Sequence, residues 1–193
     1  MAKLPLEGVR IADFTWVWAG PYCTLQLAHL GADVIRVETR TRPCVTRLLP
    51  PWPESKPGIN RSGYFNQYNQ GKRSLTLNYA KPGALEVAHR LVEASDVVTN
   101  NFASGVMEKM GLGYEALRKI KPDLIMISLS GYGDTGPFHE YVAYGPAQWL
   151  NPFMEPVNVS LVGKIDRKLE EFAALCGLIL YRGPMPIVIE RID

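Results

Sequence analysis

Short runs of apolar, β-branched residues alternate along this chain with stretches of helical spacing. Val9 to Phe14 follows Gly8 and reads as a buried first strand. Pro21 suits the first turn of a helix over Tyr22 to Leu30, and Gly31 suits its C-terminal cap. Asp33 to Glu38 reads as the second strand. A strand, a helix and a strand in this span make a βαβ unit, which predicts parallel strands.

The alternation continues. Ser74 to Tyr79 reads as a strand, and Lys81-Pro82-Gly83 opens a helix to about Glu93 with Leu85, Val87, Ala88, Leu91 and Val92 as its buried face. Asp96 to Thr99 reads as the next strand. Val106 to Met110 and Tyr114 to Ile120 read as short helices on either side of Gly111-Leu112-Gly113. Asp123 to Ser130 is a continuous apolar run, the pattern of a strand in the middle of a parallel sheet. Residues 39–63 carry Pro43, Pro50, Pro51, Pro53 and Pro57 and predict a long ordered loop or lid. Beyond residue 149 the pattern weakens, with a helix expected over Lys164 to Leu178 and a strand over Ile187 to Glu190.

Composition narrows the class. The 193 residues are 47% hydrophobic and 21% charged, an ordinary globular balance. A net charge of +2 without a basic run gives no support for nucleic acid as a partner. Cys23, Cys44 and Cys176 stand far apart and share no metal-ligand spacing, so neither a disulfide framework nor a metal site is expected. The segment from Met1 to Phe14 does not read as a secretory signal. The longest apolar stretch, Phe172 to Tyr181, is too short to span a membrane. A cytoplasmic setting is expected, with a mitochondrial or peroxisomal one as alternatives.

Three stretches carry candidate chemistry. Trp16-Val17-Trp18-Ala19-Gly20-Pro21 follows the first strand, where open α/β sheets bind ligands, and either walls a pocket or packs in the core. Gly71-Lys72-Arg73-Ser74 places two cations before a strand, either for phosphates or as a solvated turn. Gly131-Tyr132-Gly133-Asp134-Thr135-Gly136 spells GxGxxG after a strand. A dinucleotide site also needs a helix starting within the motif, and Pro137-Phe138-His139 shows no helical period. His29, His89 and His139 are too dispersed for a metal site.

Taken in order, LEGVRIADFTWVWAGPYCTLQLAHLGADVIRVE, YFNQYNQGKRSLTLNY, LVEASDVVTNNFASGVMEKMGLGYEAL and PDLIMISLSGYGDTGP resemble the class III CoA-transferases over roughly residues 6–148. The resemblance implies an α/β, Rossmann-like parallel sheet with flanking helices, truncated here to the N-terminal part of that fold. It divides the chain into a CoA-binding domain over 1–150 and a divergent segment over 151–193. It further implies coenzyme A or acyl-CoA as ligand, a carboxylic acid as second substrate, and a homodimer once the fold is completed.

The resemblance also implies site residues. Trp18 and Ala19 line the CoA and catalytic pocket, and Thr39 and Arg40 lie by the nucleotide. Leu77, Asn78, Tyr79 and Ala80 run beside the adenosine. Asn101, Phe102 and Ala103 surround the pantetheine and diphosphate, and Asn101 has an amide to offer. Lys109 replaces an arginine on phosphate and is followed by Met110, and Val142, Ala143, Tyr144 and Gly145 lie near the thioester. The family's nucleophile is an aspartate in a Gly-Asp element. No Gly-Asp pair occurs after residue 145, so no catalytic residue is assigned. Tyr144 stands where the racemases of the family have a histidine, which argues against racemase chemistry. The expected activity is CoA transfer from an acyl-CoA to a carboxylic acid. The alternatives are a catalytically incompetent CoA- or subunit-binding fragment and an NAD-type oxidoreductase.

Overall fold

The computed structural model describes residues 3–134, 137–142, 158–162 and 189–191, the last two segments through their backbone. Strands β1 (Arg10–Asp13), β2 (Asp33–Glu38), β3 (Arg73–Thr76), β4 (Val97–Asn100), β5 (Ile125–Ser130), β6 (Asn158–Val162) and β7 (Ile189–Arg191) form one sheet in the order β3-β2-β1-β4-β5-β6-β7. The first five pair in parallel. β5 meets β6 antiparallel along its other side, so the expectation of a purely parallel setting for this apolar run holds on one side only.

The connecting helices are α1 (Ala19–His29), α2 (Gly63–Gln67), α3 (Ala84–Glu93), α4 (Val106–Lys109) and α5 (Tyr114–Ile120). Side chains alternate between the two faces of a strand, and both faces are covered here. Ile11, Val34, Val97 and Ile127 pack with Cys23 and Leu27 of α1. Their neighbours Ala12, Val98 and Met126 pack with Ala88 and Val92 of α3, Met107 of α4 and Leu117 of α5. This two-sided burial explains why the strands read as apolar runs.

Three local expectations change. α3 buries Ala84, Ala88 and Val92, whereas Leu85 and Val87 face solvent at 40% and 42% exposure. Small alanines carry the contact stripe, which leaves the larger residues beside it. Within the loop of 39–63 the chain makes two 3₁₀ turns, Val45–Leu48 and Pro53–Ser55, and then starts α2. Ser62 caps α2 by accepting the Phe65 N–H at 3.1 Å, a signal present in the sequence. β6 had no predicted counterpart, β7 overlaps the strand expected over Ile187 to Glu190, and the helix expected over Lys164 to Leu178 lies outside the described residues.

Candidate functional site

The carboxyl ends of β1 to β5 lie along one edge of the sheet. The chain leaves β1 toward β2 and β3, then returns to β4 on the other side of β1. Open α/β sheets bind ligands in the crevice where the direction of winding reverses, and that crevice opens between Asp13 and Asn100.

On the α1 face the edge is closed by buried charge. Asp13 Oδ1 accepts from the Thr15 N–H at 2.9 Å, the Thr15 hydroxyl at 2.5 Å and the Thr99 hydroxyl at 3.3 Å. Asp13 Oδ2 accepts from the Thr24 hydroxyl at 2.7 Å and from Lys72 Nζ at 3.3 Å. Lys72 also donates to the Pro21 carbonyl at 2.9 Å and to Asn69 Oδ1 at 3.2 Å. Burial pushes the Asp13 carboxyl up, but the Lys72 and Arg36 charges and the Thr15 and Thr24 hydroxyls outweigh it and hold it below the ordinary value. Burial lowers Lys72 to about 8 against the pull of Asp13.

The network runs on along β2. Arg36 Nη1 donates to Asn69 Oδ1 at 2.7 Å, whereas its Nε and Nη2 have no hydrogen-bond partner among the described residues. Glu38 takes a two-pronged bond from Arg47, at 2.7 Å and 3.0 Å, and the Cys44 N–H at 2.9 Å. Arg47 also donates to the Ile59 carbonyl and Asn60, and its guanidinium lies 3.6 Å from the Phe65 ring centroid. These bonds hold the proline-rich segment against the end of β2. Lys72 is therefore neither a phosphate ligand nor part of a solvated turn, because its side chain is buried on Asp13, whereas Gly71, Arg73 and Ser74 are exposed and the Arg73 guanidinium pairs with Asp33 at the surface.

At the crevice itself, Asn101 reaches across to Trp16. Its Oδ1 accepts the Trp16 N–H at 2.6 Å, and its Nδ2 donates to the Trp16 carbonyl at 2.7 Å. Val17 follows at φ +65° and donates its N–H to Cys44 Sγ at 3.3 Å. The left-handed region costs an ordinary residue about 1–2 kcal/mol, and two hydrogen bonds at about 1 kcal/mol each are of the size needed to offset it. Trp18 then emerges 44% exposed, so it is not core packing. Its ring lies 6.2 Å from Tyr68, which meets Tyr22 at 6.1 Å and Tyr64 at 5.4 Å. Arg42 stands over the Trp16 ring at 5.8 Å.

The opposite face is open. A cleft of about 410 Å³ lies between the ends of β4 and β5 and helices α4 and α5. Phe102, Met107 and Met126 give it an apolar lining, Ser104 and Ser128 are polar, and Glu108, Glu115 and Asp134 are acidic. Asn100 is oriented by its bond to Ser128 Oγ at 2.9 Å and accepts the Phe102 N–H at 3.3 Å.

The expected ligand residues divide between these places. Trp18 and Ala19 stand at the start of α1, and Thr39 and Arg40 directly after β2, where Thr39 shares a 2.9 Å hydroxyl bond with Thr41. Leu77 is buried in the core, Asn78 turns the chain by accepting the Ala80 N–H at 3.0 Å, and the Tyr79 hydroxyl is buried without a hydrogen-bond partner among the described residues. Burial raises the Tyr79 pKa. Phe102 and Ala103 line the cleft, whereas the Asn101 amide, expected to face a ligand, is committed to Trp16. Lys109 is exposed in the last turn of α4, Met110 packs on the core, and Val142 is exposed. Ala143, Tyr144 and Gly145 lie outside the described residues.

Pro137 to Glu140 form turns rather than a helix, and Thr135 and Gly136 are outside the described residues. The described part of the GxGxxG stretch thus lacks the helix a pyrophosphate would need. Lys72 as the partner of Asp13, the Trp16–Asn101 pairing and the approach of Trp18 and Tyr22 to Tyr68 depend on residues distant in sequence and are not legible in it, whereas the Tyr64–Tyr68 contact is a local i,i+4 pair that the spacing could have shown.

The model of CoA-transferase family III matches residues 6–151. A succinyl-CoA:mesaconate CoA-transferase of Haloarcula marismortui is 46% identical over 136 residues, covering 69% of this chain and 34% of the relative. The mouse succinyl-CoA:glutarate CoA-transferase is 41% identical over 141 residues, covering 72% and 31%. Among solved structures, a CAIB/BAIF family protein from Brucella suis superposes with a TM-score of 0.66 at 38% identity, covering 74% of this chain and 38% of that one. The Rv3272 protein of Mycobacterium tuberculosis superposes with a TM-score of 0.67 at 28% identity, covering 91% and 48%. The chain spans about a third of the length of the curated relatives it matches.

Proposed function

The chain belongs to CoA-transferase family III, and we propose from that premise that it binds coenzyme A thioesters and takes part in moving CoA from an acyl-CoA to a carboxylic acid. The observation that carries this reading is the edge formed by the carboxyl ends of five parallel strands, all within the matched residues 6–151. That match also supports a CoA-binding domain over 1–150 with 151–193 as a divergent segment.

The chemistry of the edge suits the ligand. Lys109, Arg40 and Arg42 are exposed cations suited to phosphates, with Lys109 a point charge rather than a fork. The cleft beside Phe102 and Ala103 is apolar with amide- and hydroxyl-bearing walls, which fits the neutral pantetheine arm, while its carboxylates disfavour the phosphates there. Thr39 and the Leu77–Ala80 segment would flank the nucleotide, and Trp18, Ala19 and Val142 to Gly145 the thioester. Relatives that act on mesaconate and glutarate suggest a short dicarboxylic acid as acceptor. A homodimer and a cytoplasmic setting belong to the same reading; no helix among the described residues is long and apolar enough to cross a membrane.

A second reading is binding without turnover. Residues 146–193 contain no Gly-Asp pair to supply the aspartate that the family chemistry uses. The test is an exchange assay that follows CoA between succinyl-CoA and a panel of free dicarboxylates by mass spectrometry. Formation of a new acyl-CoA supports transfer. CoA binding with no new thioester supports the second reading, and absence of CoA binding overturns both.

A further inference from the structure

We infer that Asn101 is a positioning residue: its amide latches the Trp16 peptide, holds Val17 in the left-handed region, and thereby fixes where Trp18 stands at the ligand-binding edge. The inference rests on the proposed binding of CoA thioesters only for its functional consequence; the latch itself is a property of the fold.

Val17 is β-branched, and at φ +65° it is an outlier for its residue type. A conformation of this kind persists only where the surroundings impose it. The surroundings here are specific. Asn101 engages both backbone groups of Trp16, the residue before Val17. The Val17 N–H is held by Cys44 Sγ. Room for the latch is provided by Gly20, where an added Cβ would lie 2.4 Å from Thr15 Cβ and 3.0 Å from Asn101 Cγ.

The consequence falls on Trp18. Changing φ at Val17 from the left-handed to the extended region would redirect the chain just before Trp18 and the first turn of α1. With the latch closed, Trp18 projects beside Tyr68 and remains partly exposed. Asn101 thus connects the end of β4 to a ring at the end of β1, across the crevice where the winding reverses.

The test uses the 193-residue chain as wild type, Asn101→Ala, Val17→Gly and the double variant. Thermal unfolding without ligand reads the latch. Val17→Gly should leave Tm within about 2–4 °C of wild type, because glycine adopts this φ without strain and that relief offsets the freedom it adds to the unfolded chain. The Tm effects of the two substitutions should be non-additive. CoA affinity, by calorimetry, reads positioning. Asn101→Ala should weaken it roughly tenfold in the wild-type background and clearly less in the Val17→Gly background, where the left-handed turn forms without the latch.

A fall in Tm well beyond about 4 °C for Val17→Gly, additive Tm effects, or an equal affinity loss in both backgrounds would overturn the inference. If wild type binds no CoA, the proposed function fails while the thermal cycle still decides the latch. Should Asn101→Ala not fold, Asn101→Asp replaces it, since it keeps the acceptor for the Trp16 N–H and loses the donor to the Trp16 carbonyl.

Discussion

Lys72 Nζ lies 3.3 Å from Asp13 Oδ2, with the two side chains 2% and 0% exposed. The pair ties the entrance to β3 onto the end of β1 across the intervening β2. A buried ion pair gives little net stability against an apolar replacement, but removing one partner strands the other in a low-dielectric interior.

Lys72→Met should therefore destabilise the fold by about 3–5 kcal/mol, because Asp13 keeps its charge and loses its cation. Urea unfolding at neutral pH checks this. A loss well under 1 kcal/mol would show that the hydroxyls of Thr15, Thr24 and Thr99 satisfy Asp13 unaided.

The pH dependence follows from the directions of the two shifts. The Asp13 pKa is lower in the folded chain than its ordinary 3.8, so its contribution is fully present above that value. It disappears as pH falls through the folded pKa. Lys72 has the opposite window: the folded chain loses its proton near 8 while the unfolded chain holds it to 10.5, so this group's contribution rises with pH between those values. Asp13→Asn should narrow its stability deficit relative to wild type as the pH falls below 3.8. Unfolding curves across acid pH test the sign, and a deficit that stays constant would contradict it.

Arg47→Ala removes the two-pronged bond to Glu38 and the ties to Ile59 and Asn60. The expected loss is about 1.5–3 kcal/mol, as for hydrogen bonds to a charged group. Limited proteolysis should show new cleavage within residues 39–63. Unchanged protection there would mean that the prolines alone order the segment.

These bonds also explain what was legible in the sequence. Asp33 to Glu38 was read with the observed bounds because its pattern lies between clear breaks. The βαβ start and the parallel order followed from element lengths. By contrast, the burial of Lys72 within the otherwise exposed Gly71-Lys72-Arg73-Ser74 is not legible, because its partner Asp13 stands 59 positions away. Asn101 was expected to offer its amide to a ligand, and only the chain reversal around β1 brings Trp16 to it. Leu85 and Val87 had the right spacing for burial, but contact through Ala84 and Ala88 left them outside. Local periodicity identified the layers; pairings across the sheet decided the site.

Lys109→Ala should weaken CoA binding by roughly tenfold and flatten its salt dependence, since a lost phosphate contact is a lost charge interaction. Lys109→Arg should retain or tighten binding through its bidentate fork. Calorimetry at two salt concentrations reads both. Equal affinity in all three proteins would remove Lys109 from the phosphate site.

The proposed function puts coenzyme A on the carboxyl edge of β1 to β5. The most direct measurement is calorimetric titration of the 193-residue chain with CoA and, separately, with NAD. Saturable binding of CoA at one site per chain, with no heat from NAD, is the predicted result. Binding of NAD without binding of CoA would contradict it.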